Sequence, residues 1–70
     1  MKEVIVQINS DYITLGQLLK KEDLIQTGGE AKFYLHSQEV LVNGEKEDRR
    51  GRKLYSGDVV TAEGQDYKIL

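Results

Sequence analysis

Residues 27–44 read TGGEAKFYLHSQEVLVNG, and within them the apolar period changes from that of a helix to that of a strand. Thr27-Gly-Gly-Glu30 has the form of a capping box, so a helix is predicted to begin there. Ala31, Tyr34 and Leu35 stand at i, i+3 and i+4 and form its buried stripe, whereas Lys32 and His36, four apart, share another face. Val40 and Val42 then alternate with Glu39 and Leu41 as a strand that stops at Asn43-Gly44, a strong tight-turn signal. A helix followed at once by a hairpin strand argues for an α+β fold.

The flanks agree. Val4, Val6 and Ile8 alternate with Ile5, Gln7 and Asn9 as an opening strand, and Asn9-Ser10-Asp11 turns the chain. Thr14-Leu-Gly-Gln17 is a second capping box, with Ile13 and Leu18 placed as its hydrophobic staple. The helix it starts carries the stripe Leu15, Leu18 and Leu19 and ends near Lys20 to Glu22. Beyond Gly44, Ser56-Gly57-Asp58 is a turn into the strand Val59–Ala62. Gly64-Gln65-Asp66 is a further turn before a last edge strand at Tyr67–Ile69. The expectation is one domain over residues 1–70, with two short helices packed on a small antiparallel or mixed sheet and no repeat or linker.

Seventy residues without cysteine or proline leave room for one core, which buries only about 60% of the unfolded chain's surface. With no thiol there is neither a disulfide framework nor a thiolate zinc site, and the single histidine would leave any metal to carboxylates. No apolar run approaches the roughly 20 residues of a membrane span, and the amino terminus alternates instead of forming a signal-peptide core. A cytoplasmic monomer with no cofactor and no membrane association is the default expectation. No nucleophile, base and acid stand in a recognisable catalytic context, so a lone enzyme is not expected.

Charge carries the functional signal. Five of the ten basic residues, Lys46, Arg49, Arg50, Arg52 and Lys53, fall in one eight-residue window that holds all the arginines of a chain of net charge −2. Guanidinium groups suit bidentate phosphate contact, and the alternative is a solvated loop neutralised by Glu45, Glu47 and Asp48. As an exposed loop, its arginines would be replaceable within about 0.5 kcal/mol of stability. Gly28 and Gly29 at a helix start either leave amides open to an anion or merely permit a sharp turn. Phe33 lies off the apolar stripe, where it either stacks on a base or packs under a loop. Tyr55 has the same two readings, His36 is either a phosphate or base contact or solvated, and Tyr12 and Tyr67 read as structural. Asp48 and Asp58 read as turn residues.

The order of these features resembles the S-four RNA-binding domain, the α-L motif named from a small-subunit ribosomal protein. That family carries Ser-Arg-x-x-Ala-x-x-Leu-Ile, then Val-x-Val-Asn-Gly, a variable basic stretch and Gly-Asp before a final strand. Thr27 takes the serine place, Ala31 the alanine, Tyr34 and Leu35 the apolar pair, Val40–Gly44 the strand and turn, and Gly57-Asp58 the closing turn. The resemblance spans about residues 14–62. Ile25–Lys32 and Arg49–Leu54 are similar to the small stand-alone bacterial YaaA group within the family. Gly28 replaces the usual arginine, with Lys32 or the later arginines as candidates for its phosphate contact, and Gln38 stands at a turn position often held by glycine. The resemblance implies a non-catalytic protein that grips structured RNA, ribosomal RNA above all, in ribosome assembly or maturation. Its face would draw on Gly28, Gly29, Lys32, Phe33, His36 and the basic run. Two other classes share part of the pattern. A ubiquitin-like β-grasp sulfur carrier has a similar strand, helix and hairpin but needs a terminal Gly-Gly, where this chain reads Tyr67-Lys68-Ile69-Leu70. A protein-interaction module would set the arginines against an acidic partner.

Overall fold

A computed structural model of the chain describes residues 3–70; Met1 and Lys2, which open the alternating amino-terminal run, lie outside the described residues. Strand β1 is Glu3–Val6, β2 is Ile13–Thr14, helix α1 is Leu15–Lys21 and helix α2 is Glu30–Ser37. Strands β3 (Val40–Val42), β4 (Glu45–Lys46), β5 (Lys53–Leu54), β6 (Val59–Ala62) and β7 (Gln65–Ile69) follow. Five strands form one mixed sheet in the order β1-β7-β6-β3-β4, and β2 pairs with β5 in a separate two-stranded ribbon.

Helix α1 begins as its sequence requires. Thr14 is the N-cap, the Gln17 amide donates to Thr14 Oγ1 at 3.3 Å, and the Thr14 amide donates to Gln17 Oε1 at 2.9 Å. It ends in a Schellman motif: Asp23 takes φ 61°, its amide donates to the Lys20 carbonyl, and the Leu24 amide donates to the Leu19 carbonyl. Helix α2 begins differently from the sequence reading. Its N-cap is Gly29, and no side chain caps it. Only the acidic half of the second box forms, with Glu30 Oε1 accepting from the amides of Gln26 and Thr27 at 3.0 and 2.9 Å. A Thr27–Glu30 turn, closed by the Glu30 amide on the Thr27 carbonyl, takes the place of the Thr27 cap.

The final strand is also corrected. The tight turn is Glu63-Gly64, both with positive φ, and β7 starts at Gln65. It is interior, antiparallel to β6 and parallel to β1, with Val4 opposite Tyr67 and Val6 opposite Ile69. Tyr67 and Ile69 are accordingly buried. Ile8 falls beyond β1 but donates its amide to the Leu70 carbonyl, which extends the pairing.

One core joins the layers. Leu15, Leu18 and Leu19 of α1 and Ala31 and Leu35 of α2 meet Val40, Val42, Val60, Ala62, Tyr67 and Ile69 of the sheet. Leu54 of the ribbon, Val6 of β1 and Ile25 belong to the same cluster. Tyr34 Oη donates to Glu63 Oε2 at 2.6 Å, tying α2 to the β6–β7 turn; burial and the Glu63 charge hold this phenol well above its ordinary pKa.

The Asn43-Gly44 and Gly57-Asp58 turns are one assembly. Asn43, at φ 52°, donates its amide to the Val59 carbonyl and accepts the Val59 amide on Oδ1 at 2.9 Å. Its Nδ2 donates to Asp58 Oδ1 at 3.1 Å, and Asp58 Oδ2 accepts the Tyr55 amide at 2.8 Å. Asn43→Ala loses the two side-chain bonds, to the Val59 amide and to Asp58, and strains a left-handed residue, at an expected cost of about 1–3 kcal/mol. Asp58→Ala should add less in that background than alone. Urea unfolding of the two single variants and the double variant measures the coupling, and strict additivity would refute it.

Candidate nucleic-acid interface

The basic run is clamped by its backbone. The Leu15 amide donates to the Arg52 carbonyl and the Gly16 amide to the Arg50 carbonyl, each at 2.8 Å. These are first-turn amides of α1, which lack partners inside their own helix, so the loop carbonyls complete the helix. Ile13 opposite Leu54 and Thr14 opposite Lys53 hold the loop's far end. The approach is close: a Cβ on Gly16 would lie 3.3 Å from the Arg50 carbonyl oxygen. Within the loop, the Arg52 amide donates to the Arg49 carbonyl, closing a turn over Arg50 and Gly51.

Glu47 organises the side chains. Only 6% exposed, it accepts Arg49 Nε on Oε2 at 2.9 Å and Arg49 Nη2 on Oε1 at 3.2 Å. Arg52 Nη1 donates to Oε1 at 2.7 Å and the Arg49 amide to Oε2 at 3.1 Å. The Arg49 hydrogen bonds, joined by Arg52, hold the carboxyl at about 2 against an ordinary 4.5, although burial alone would raise it. The arginine run is therefore not freely solvated: Glu47, one of the three acids named for its neutralisation, pairs with two of its three arginines. Arg49 and Arg52 share a fixed, partly buried counter-ion, which restrains their forks before any ligand arrives. The Arg49 side chain is still 72% exposed and that of Arg52 35%.

Three adjoining patches result. A groove of about 410 Å³ between α1, the α2 start and the loop is lined by Gly16, Lys20, Gly28, Arg50 and Gly51, with Thr14, Gln17 and Ala31. A second, of about 470 Å³, is lined by Arg49, Gly51, Arg52, Lys53 and Tyr55 and shares Gly51 with the first. Gly29, Lys32, Phe33 and His36 form the third on the outer side of α2, where Phe33 is 77% exposed. The structure thus gathers nine of the ten sequence candidates around the loop and α2. Lys46 is the exception. It stands opposite Leu41, and because Val40 and Val42 face the core, Lys46 projects from the sheet face away from the helices. Asp58 is the turn residue expected from the sequence. Lys20 and Gly16 were missed: a lysine in the last turn of a helix reads as dipole compensation, and nothing in the sequence shows the loop crossing Gly16.

An α+β core that holds an arginine loop against two short helices is the architecture of the RNA-binding class that the sequence resembles, and the comparison with known families agrees. A model of the S4 domain matches residues 6–70; the chain belongs to the S4 domain family. It is 59% identical over 59 residues, 84% of this chain and 83% of the relative, to the Bacillus subtilis (strain 168) protein named Probable ribosome maturation protein RlbA.

Arg49→Ala combined with Arg52→Ala strands the Glu47 carboxylate and should cost about 1–3 kcal/mol, whereas Arg50→Ala should stay within about 0.5 kcal/mol. Chemical denaturation separates the two cases, and an undiminished stability of the double variant would show that Glu47 needs neither partner. Because the folded carboxyl titrates below the unfolded one, its stabilisation is complete above about pH 4.5 and is lost as pH falls towards 2. Glu47→Gln should flatten this part of the stability–pH curve.

Proposed function

We propose that this chain is a non-catalytic RNA-binding protein that grips structured ribosomal RNA during ribosome assembly or maturation in the cytoplasm, acting as a monomer. The observation that carries the reading is the clamped loop. It sets Arg50 beside Lys20 and Gly28 in one groove and Arg49, Arg52 and Lys53 in the next. Cations on a rigid backbone suit A-form RNA, which is read mainly through its shape, phosphates and 2′-hydroxyls. The name of the Bacillus subtilis relative supports the ribosomal step. Net charge −2 means that attraction to RNA comes from this patch and not from the whole molecule.

Among the described residues, Lys20, Lys32, Arg50 and Lys53 pair with no carboxylate. With about four phosphates neutralised, log K against log salt should fall with a slope on the order of −4. A structured RNA duplex should bind more tightly than DNA of the same sequence. Lys20→Ala with Arg50→Ala, which leaves the Glu47 pairs in place, should lower the slope magnitude by roughly 2. Equal affinity for RNA and DNA, with an unchanged slope in the double variant, would overturn the assignment.

A further inference from the structure

The β2–β5 ribbon ends in an aromatic pair that the core does not use. The register that sets Thr14 opposite Lys53 and Ile13 opposite Leu54 places Tyr12 opposite Tyr55 one step further on. Alternation sends Leu54 into the core and turns Lys53, Tyr12 and Tyr55 outwards together. The two rings lie 5.9 Å apart at 51°, and Lys53 Nζ sits 5.0 Å from the Tyr12 centroid. Both rings are exposed, Tyr12 by 40% and Tyr55 by 49%. Their main chains are nevertheless held, since Ser10 Oγ donates to the Tyr12 carbonyl at 2.8 Å and the Tyr55 amide donates to Asp58 Oδ2 at 2.8 Å. The platform is therefore in place before a ligand arrives.

Its neighbour decides what it fits. The groove that holds Arg49, Arg52 and Lys53 is walled by Tyr55, so a strand whose phosphates follow the loop brings its next nucleotide to the rings. A base inside a helix cannot offer its face, because its neighbours cover it; an unpaired nucleotide can. One such nucleotide meets both features here, its base on a tyrosine and its phosphate on the cations. We propose that Tyr12, Tyr55 and Lys53 form a stacking site for an unpaired nucleotide that flanks the helical RNA gripped by the loop. The site rests on the RNA-binding reading and narrows it to a helix junction, bulge or overhang.

The test uses the full chain with a blunt RNA duplex and the same duplex carrying one unpaired 2-aminopurine at its 5′ end, at its 3′ end or as a bulge. At least one unpaired form should bind on the order of tenfold more tightly than the blunt duplex, with a change in 2-aminopurine emission. Tyr12→Leu with Tyr55→Leu should abolish the preference, so that unpaired and blunt forms bind that variant equally, while Tyr→Phe at both positions should keep the preference. A pair that only stabilises the ribbon would produce no preference in the wild-type protein. Wild-type affinity equal for all four RNAs would overturn the stacking site and leave RNA binding standing. Binding to none of them would overturn both.

Discussion

The interface depends on two backbone hydrogen bonds, those from the Leu15 and Gly16 amides to the carbonyls of Arg52 and Arg50. They solve two problems together. A seven-residue helix is too short to hold itself by propagation and leaves its first amides without partners. A polar loop bearing three arginines between two short strands has no reason of its own to keep one shape. Setting the loop carbonyls on the helix start satisfies the amides and fixes the loop, so each element supplies what the other lacks. The close approach explains Gly16, a residue of poor helix propensity in the first turn. A Cβ there would stand 3.3 Å from the Arg50 carbonyl oxygen, so the loop would have to give by a few tenths of an ångström at the helix that positions it.

Fixing the backbone does not fix the long side chains, and Glu47 does that work. A nearly buried carboxylate is unfavourable on its own, yet this one takes four hydrogen bonds, three from guanidinium nitrogens and one from an amide. The pairing withdraws part of the arginines' charge from an approaching phosphate. In return it restrains two side chains whose ordering would otherwise weigh against each binding event. The same logic divides the basic run. Arg49 and Arg52 are pre-set and partly compensated, whereas Arg50 and Lys53 meet no carboxylate among the described residues, so their charge is left uncompensated.

What could be read in the sequence followed from the range of the interaction. The start of α1 was legible because its cap, box and staple lie within six residues, Ile13 to Leu18. The turns at Asn43-Gly44 and Glu63-Gly64 left a glycine signal, although the second was read one residue late. The α2 start misled because a Thr-x-x-Glu spacing does not distinguish a reciprocal box from a turn in which only the glutamate bonds. The interior position of β7 was hidden, since its parallel partner β1 lies at the other end of the chain and parallel pairing leaves no local turn signature. At the interface, residue type and clustering pointed to the arginines, but the burial of Glu47, the crossing at Gly16, the part of Lys20 and the pairing of Tyr12 with Tyr55 are tertiary facts. Lys46 was counted with the arginines for its nearness in sequence. One further residue along a strand turns a side chain to the other face, and that put it on the far side of the sheet.

The value of the family pattern as evidence also has a physical basis. Asn-Gly and Gly-Asp are each common turns, and taken singly they say little. Here Asn43 and Asp58 hydrogen-bond to each other, and Asp58 holds the amide of Tyr55 at the end of the basic loop. The same turn receives the Ile69 amide on the Asp58 carbonyl and gives the Gly57 amide to the Ile69 carbonyl, which joins it to the interior strand β7. Two short motifs separated by a variable basic stretch therefore form one brace between the sheet and the loop's exit, while α1 holds the loop's middle. Such a brace constrains the ends of the stretch and leaves its surface side chains free to differ. A scaffold of this kind can keep its fold whatever charges and rings the surface of the stretch carries, and this is why the fold was more legible than the site.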